Sequence, residues 1–176
     1  MANKILNLET VRNLCLLHVI WLCLLLTFPI QSSADDITRH GDAYVIYLPR
    51  ELNFDEVVSL VHSEVLGENW QVVNELNIGE AVKEYNKHIE NRVISVCKTQ
   101  YLAQAIEEDP FISLIIPCRF TIFREFTEGS REGRIIVGFY DPVAEADGLN
   151  LKQAQAAEIA TQELKAVLHR IAESYQ

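Results

Sequence analysis

Two stretches, Cys118 to Phe126 (CRFTIFREF) and Arg134 to Tyr140 (RIIVGFY), decide the fold. The first alternates at a period of two, the pattern of a strand with two unlike faces. The polar segment Thr127 to Gly133 between them reads as a hairpin turn, so the second stretch pairs back antiparallel. Upstream, Arg92 to Cys97 (RVISVC) is another strand. Thr99 is placed to cap a helix from Gln100 to Glu108, with Leu102, Ala105 and Ile106 on its inner face. Asp109-Pro110 stops that helix and the apolar run FISLIIP leads back to Cys118.

The same procedure covers the rest of the chain. Tyr44 to Leu48 (YVIYL) follows Gly41 and ends at Pro49, which marks a first strand. Asn53, with Glu56 three residues on, forms a capping box for a helix whose Phe54, Val57, Val58, Val61 and Val65 recur at helical spacing before Gly67. Trp70 to Leu76 is a strand, and Ile78 to Ile89 a short helix turning Tyr85 and Ile89 inward. Asn150 caps a long helix to about Ser174, striped by Leu164, Val167, Leu168, Ile171 and Tyr175. Strands near both ends, a closing hairpin and a long last helix predict an α+β domain: a mostly antiparallel, curved sheet with helices on one face. No GxGxxG or P-loop is present, so nothing is built to cradle a phosphate.

The first thirty-four residues read differently. Lys4 and Arg12 precede an apolar run from Leu14 to Ile30, then Gln31-Ser32-Ser33-Ala34, the layout of a secretory signal peptide cut after Ala34. Small Ser32 and Ala34 and the mid-run His18 favour cleavage. The competing reading is an uncleaved membrane anchor, for which the run is slightly short. Cleavage leaves residues 35–176 as a single domain. Loss of Lys4, Arg12 and Glu9 then makes it one unit more negative than the formal −10 of the whole chain. A surface this acidic repels nucleic acid and anionic lipid. The expected address is therefore periplasmic or extracellular, with membrane contact only through an uncleaved N-terminus.

The stretch VISVCKTQYLAQAIEEDPFISLIIPCRFTIFRE (residues 93–125), followed after a gap by GRIIVGFYDP, resembles the domain of unknown function 302 family. The matching features are the strand ending in Cys97, the helix ending at Asp109-Pro110, Leu114-Ile115-Ile116-Pro117-Cys118, a glycine-closed hairpin and Asp141-Pro142. This chain has Lys98-Thr99 where the family often has Asn-Pro. The resemblance covers most of residues 42–145 and implies a β-α-β(4)-α fold related to TATA-binding-protein-like and helix-grip architectures, often dimeric. It implies no established reaction.

Chemistry is sparse. Cys97 ends a strand just before a helix N-terminus and beside Lys98, a setting that favours a thiolate. Cys118 opens the next strand. Three readings stand open: a structural disulfide closing a loop of about 22 residues, worth roughly 3 kcal/mol; two buried thiols acting as small hydrophobes; or a reactive, ligand-binding pair. His40, His62, His88 and His169 are scattered without metal-ligand spacing, and Glu107-Glu108-Asp109 reads as a solvated face, so neither metal nor cofactor is expected. Aromatics fall on the strands with both parities, Tyr47, Trp70, Phe120 and Phe139 among them, so both sheet faces carry apolar surface. The face without helices then marks a dimer contact or an apolar-ligand groove. The expectation is a small, exported, non-enzymatic binding or interaction protein, dimeric, with a sheet-and-helix pocket for a small apolar or thiol-reactive ligand. The alternative is a thiol-dependent redox or sulfur-handling protein using Cys97 and Cys118.

Overall fold

The computed structural model describes residues 37–125, 133–149 and 154–176. The N-terminal segment, most of the hairpin turn after β5 and the Asn150 cap lie outside these residues. Among them run β1 (Thr38–His40), β2 (Ala43–Leu48), α1 (Phe54–Gly67), β3 (Gln71–Asn77), α2 (Ile78–Ala81), β4 (Asn91–Cys97), α3 (Thr99–Glu108), β5 (Cys118–Arg124), β6 (Ile135–Tyr140), α4 (Pro142–Gly148) and α5 (Ala154–Glu173). The strands form one antiparallel sheet in the order β1-β2-β6-β5-β4-β3. The fold is α+β, as expected from the paired strands 118–126 and 134–140.

Register explains the faces. Ile94 pairs with Phe120, Phe120 with Phe139 and Ile122 with Val137. Each of these is buried, and α1 and α5 lie over them with Val57, Val61, Val65, Leu164, Val167, Leu168 and Ile171, all fully buried. The predicted stripes of both helices are therefore core; only Tyr175 stays partly exposed. Each such side chain contributes on the order of 2 kcal/mol by burial. Tyr44, Phe139 and Phe120 form a contiguous aromatic run, tilted and edge-to-face, with ring centroids 5.5 and 5.6 Å apart.

Asn53 caps α1 as expected, accepting from Asp55 N at 2.9 Å and Glu56 N at 3.2 Å. Other local expectations change. Residues 78–89 give only the single turn α2 and a 3-10 turn, Lys83–Tyr85, and Tyr85 is 70 % exposed rather than inward. α2 already ends at its C-cap Val82, and Asn86, at φ 56°, closes the 3-10 turn that follows. Thr99 is the first residue of α3, not its cap; Lys98 holds the cap position without a side-chain bond. Ile106 faces solvent, leaving Ala105 as the buried residue of α3.

Two polar ties hold the loops. Arg124, at the end of β5, donates to the carbonyls of Arg50, Leu52 and Gly133 and pairs with Glu90. Asp141, 5 % exposed, caps α4 through Val143 N at 3.1 Å and accepts from Thr161 Oγ1 of α5 at 2.8 Å and from Arg39 at 3.1 Å.

Candidate functional site

Two concavities flank the sheet, and between them they take up most of the residues singled out from the sequence. The first lies where β4 ends and β5 begins. Its walls come from Cys97 and Lys98, from Tyr101, Leu102 and Ala105 of α3, from Cys118, and from Ala156, Ala157 and Ala160 of α5. The hollow is apolar, about 60 Å³. The sequence of α5 accounts for it. Its first half turns small alanines inward and leaves room, whereas Leu164 to Ile171 in its second half fill the main core. Trp70, buried at the entry to β3, forms part of the same wall.

At the rim, Glu163 of α5 gathers three donors. Lys98 Nζ reaches it at 2.7 Å, Trp70 Nε1 at 2.9 Å, and the Tyr101 hydroxyl through a short bond. Burial works to raise the Glu163 carboxyl, but the bonds from Lys98, Tyr101 and Trp70 outweigh it and hold the group below the usual carboxylate range. Its hydrogen bond, aided by burial, pushes the Tyr101 phenol up. Against the downward pull of burial, the same carboxylate raises the Lys98 ammonium. This hub escaped the sequence reading. The signal was present: Glu163 falls on the packing face of α5, between Ala160 and Val167, where a charge persists only if partnered.

Cys97 and Cys118 are both free thiols. β4 and β5 are antiparallel neighbours, as the disulfide expectation required, but the register sets Val96, not Cys97, opposite Cys118. Val96 therefore faces Cys118 across the ladder, although both thiols border the hollow. Neither thiol is activated. Burial pushes Cys97 up, and the Lys98 side chain, which was expected to favour its thiolate, turns instead to Glu163 and to Glu68 O at 3.1 Å. Burial, then the negative charges of Glu145 and Cys97, push Cys118 up to about 12.

The second concavity is a groove of about 520 Å³ on the sheet face that carries no helix. Val45, Ile136 and Gly138 make its floor, with Tyr47, Phe123 and Tyr140 around it. Tyr47 and Tyr140 are 38 % and 48 % exposed. Arg134 lies over the Tyr47 ring at 4.3 Å while pairing with Glu125 at 3.2 Å. Gly138 has no substitute here, because a Cβ would fall 2.6 Å from both Tyr44 O and Val45 Cγ1. Of the four aromatics named from the sequence, Tyr47 lies in this groove and Trp70 beside the hollow. Phe120 and Phe139 have their rings in the core under the helices. Among the described residues, no three His, Cys, Asp or Glu side chains converge to hold a metal ion.

A family model described as "Domain of unknown function DUF302" matches residues 46–171. The chain belongs to the DUF302 family. Among solved structures it is similar to the crystal structure of an uncharacterised conserved DUF302 protein from Bacillus stearothermophilus. The TM-score is 0.61 and the identity 15 %, with 78 % of this chain and all of the other covered. At that identity the likeness concerns the DUF302 fold alone. No curated protein matches the chain.

Proposed function

We propose that this DUF302 protein is a small, exported, non-enzymatic binding module whose ligand, a small apolar molecule, occupies the hollow between the sheet, α3 and α5. The observation that carries the reading is the hollow itself: an apolar space left by three alanines of α5 and bordered by Trp70, Cys97 and Cys118. Ligand sites are typically concave, mostly apolar and marked by a few placed polar groups, here the Glu163 hub at the rim. The raised thiols weigh against the redox alternative, because the thiolate is the reactive form.

The open sheet face takes the partner role in this reading, as the contact with a second copy of the chain. Exposed Tyr47 and Tyr140 around an apolar floor fit the aromatic anchors of such interfaces.

Native mass spectrometry of the protein recovered from its own cells tests the ligand reading. A bound mass lost on denaturation without reductant is the expected result. A mass that persists on Cys97 or Cys118 until reductant is added would transfer the assignment to sulfur handling. A bare chain in both spectra would refute occupancy of the hollow.

A further inference from the structure

The part of the chain that covers the hollow is attached differently from the rest of the molecule. α3 and the 3-10 turn after it, Pro110–Leu114, bury a cluster of their own, made of Ala105 and Ile112 with Ala156 of α5, separate from the main core. With Ile115 and Ile116 only partly buried against it, this small cluster resists opening less than the packed sheet does. Leu102, Ile115 and Ile116 of the cover are only half-buried at the hollow, and Phe111 and Leu114 point outward, 66 % and 70 % exposed. A polar tie adds to these contacts. Lys98 and Tyr101, both at its beginning, bond to the same Glu163 carboxylate of α5. That carboxylate and the Lys98 ammonium are both largely shielded from water, so breaking the pair leaves a charge poorly solvated.

We infer that residues 98–117 form a cover that opens as a unit over the hollow, that Glu163 is its catch, and that opening admits a small, uncharged, apolar molecule beside Cys97 and Cys118. The ligand class follows from the walls. Apart from the two thiols they are almost wholly hydrocarbon, and Glu145 at the border is already paired with Arg119 at 3.1 Å. An anion would meet Glu145 and Glu163, and a cation finds Glu163 already engaged. The inference rests on the hollow being the ligand site. Local opening of this kind draws on the least stable elements of a fold, which are those with few buried apolar contacts.

The test is thiol labelling of the full chain with N-ethylmaleimide, an uncharged apolar reagent, as a function of urea. Peptide mass spectrometry reads Cys97 and Cys118 separately from Cys15 and Cys23. The wild-type rate should depend only weakly on low urea, because opening the cover exposes little surface. Glu163→Ala should label at least about tenfold faster, the factor corresponding to one hydrogen bond to a charged group. Glu163→Gln, which retains an acceptor oxygen but not the charge, should fall between. An anionic thiosulfonate, scaled to its rate with free glutathione, should lag behind N-ethylmaleimide. Labelling that follows global unfolding with its full urea dependence would overturn the inference. So would a Glu163→Ala rate no faster than its loss of global stability explains. Tyr101→Phe removes one of the catch bonds and supplies the comparison if Glu163→Ala does not fold. Because the reagent serves as its own probe, these results judge the catch independently of any natural ligand found by native mass spectrometry.

Discussion

Replacing Cys118 with serine should flatten the loss of stability at alkaline pH. In the folded protein this thiol is pushed up from 9.0 to about 12, first by burial and then by the charges of Glu145 and Cys97. In the unfolded chain it ionises near that ordinary value of 9.0. A raised folded value means the folded state keeps a proton that the unfolded state releases. Stability is therefore complete below the unfolded value and falls as pH climbs toward the folded one. Each unit in that window corresponds to about 1.4 kcal/mol, so raising the pH from about 8 to about 10.5 removes roughly 2 kcal/mol through this group. Tyr101, Tyr175 and Lys98 are shifted in the same direction and add to the alkaline loss, but equally in both proteins. The measurement is the urea midpoint of wild type and Cys118→Ser, in reductant, at both pH values. The wild type should lose about 2 kcal/mol more than the variant. Parallel losses would mean that Cys118 is not held protonated by its surroundings, and the account of the hollow as a water-excluding site would fail with it.

Three further outcomes follow from the geometry. Arg124→Ala strips donors from the carbonyls of Arg50, Leu52 and Gly133 and should cost roughly 3 kcal/mol, read from urea unfolding. Gly138→Ala forces a Cβ to within 2.6 Å of Tyr44 O and Val45 Cγ1 and should destabilise by about 2 kcal/mol or more; a neutral result would show that the floor of the groove can give. Tyr47→Glu with Tyr140→Glu places charge on two exposed positions of the open face. Light scattering should report a monomer at unchanged melting temperature, and a dimer that survives both changes would remove this face as the contact.

Elements whose identity depends on a local pattern were legible in the sequence. The alternation of Cys118–Arg124 and the valine stripe of α1 demand one arrangement each, and Phe120, Ile122, Val57, Val58, Val61 and Val65 are buried accordingly. What escaped depends on partners distant in the chain. β1 is three exposed residues held by pairing to β2 and by the reach of Arg39 to Asp141, and α4 is a short helix started by Asp141 and Pro142. The 78–89 segment had helical apolar spacing, but α2 ends at its C-cap Val82 and Asn86 closes the 3-10 turn that follows. Both cysteines border the hollow, yet the register sets Val96 rather than Cys97 opposite Cys118. No spacing rule predicts that. Glu163 was legible only as an anomaly, a charge on a buried stripe. Its three donors come from β3's entry, the turn before α3 and α3 itself, which only the fold assembles.

The strand order has a consequence for how the molecule comes into being. β2 pairs with β6, so Ala43 waits for Tyr140 and Leu48 for Ile135. The first long strand to emerge from a ribosome finds no neighbour on its inner side until nearly the whole domain has been synthesised. Hairpins such as β3–β4 form early, but the sheet that gives α1 and α5 a floor cannot. Such an order leaves the long-range closure of the sheet to the last step of folding.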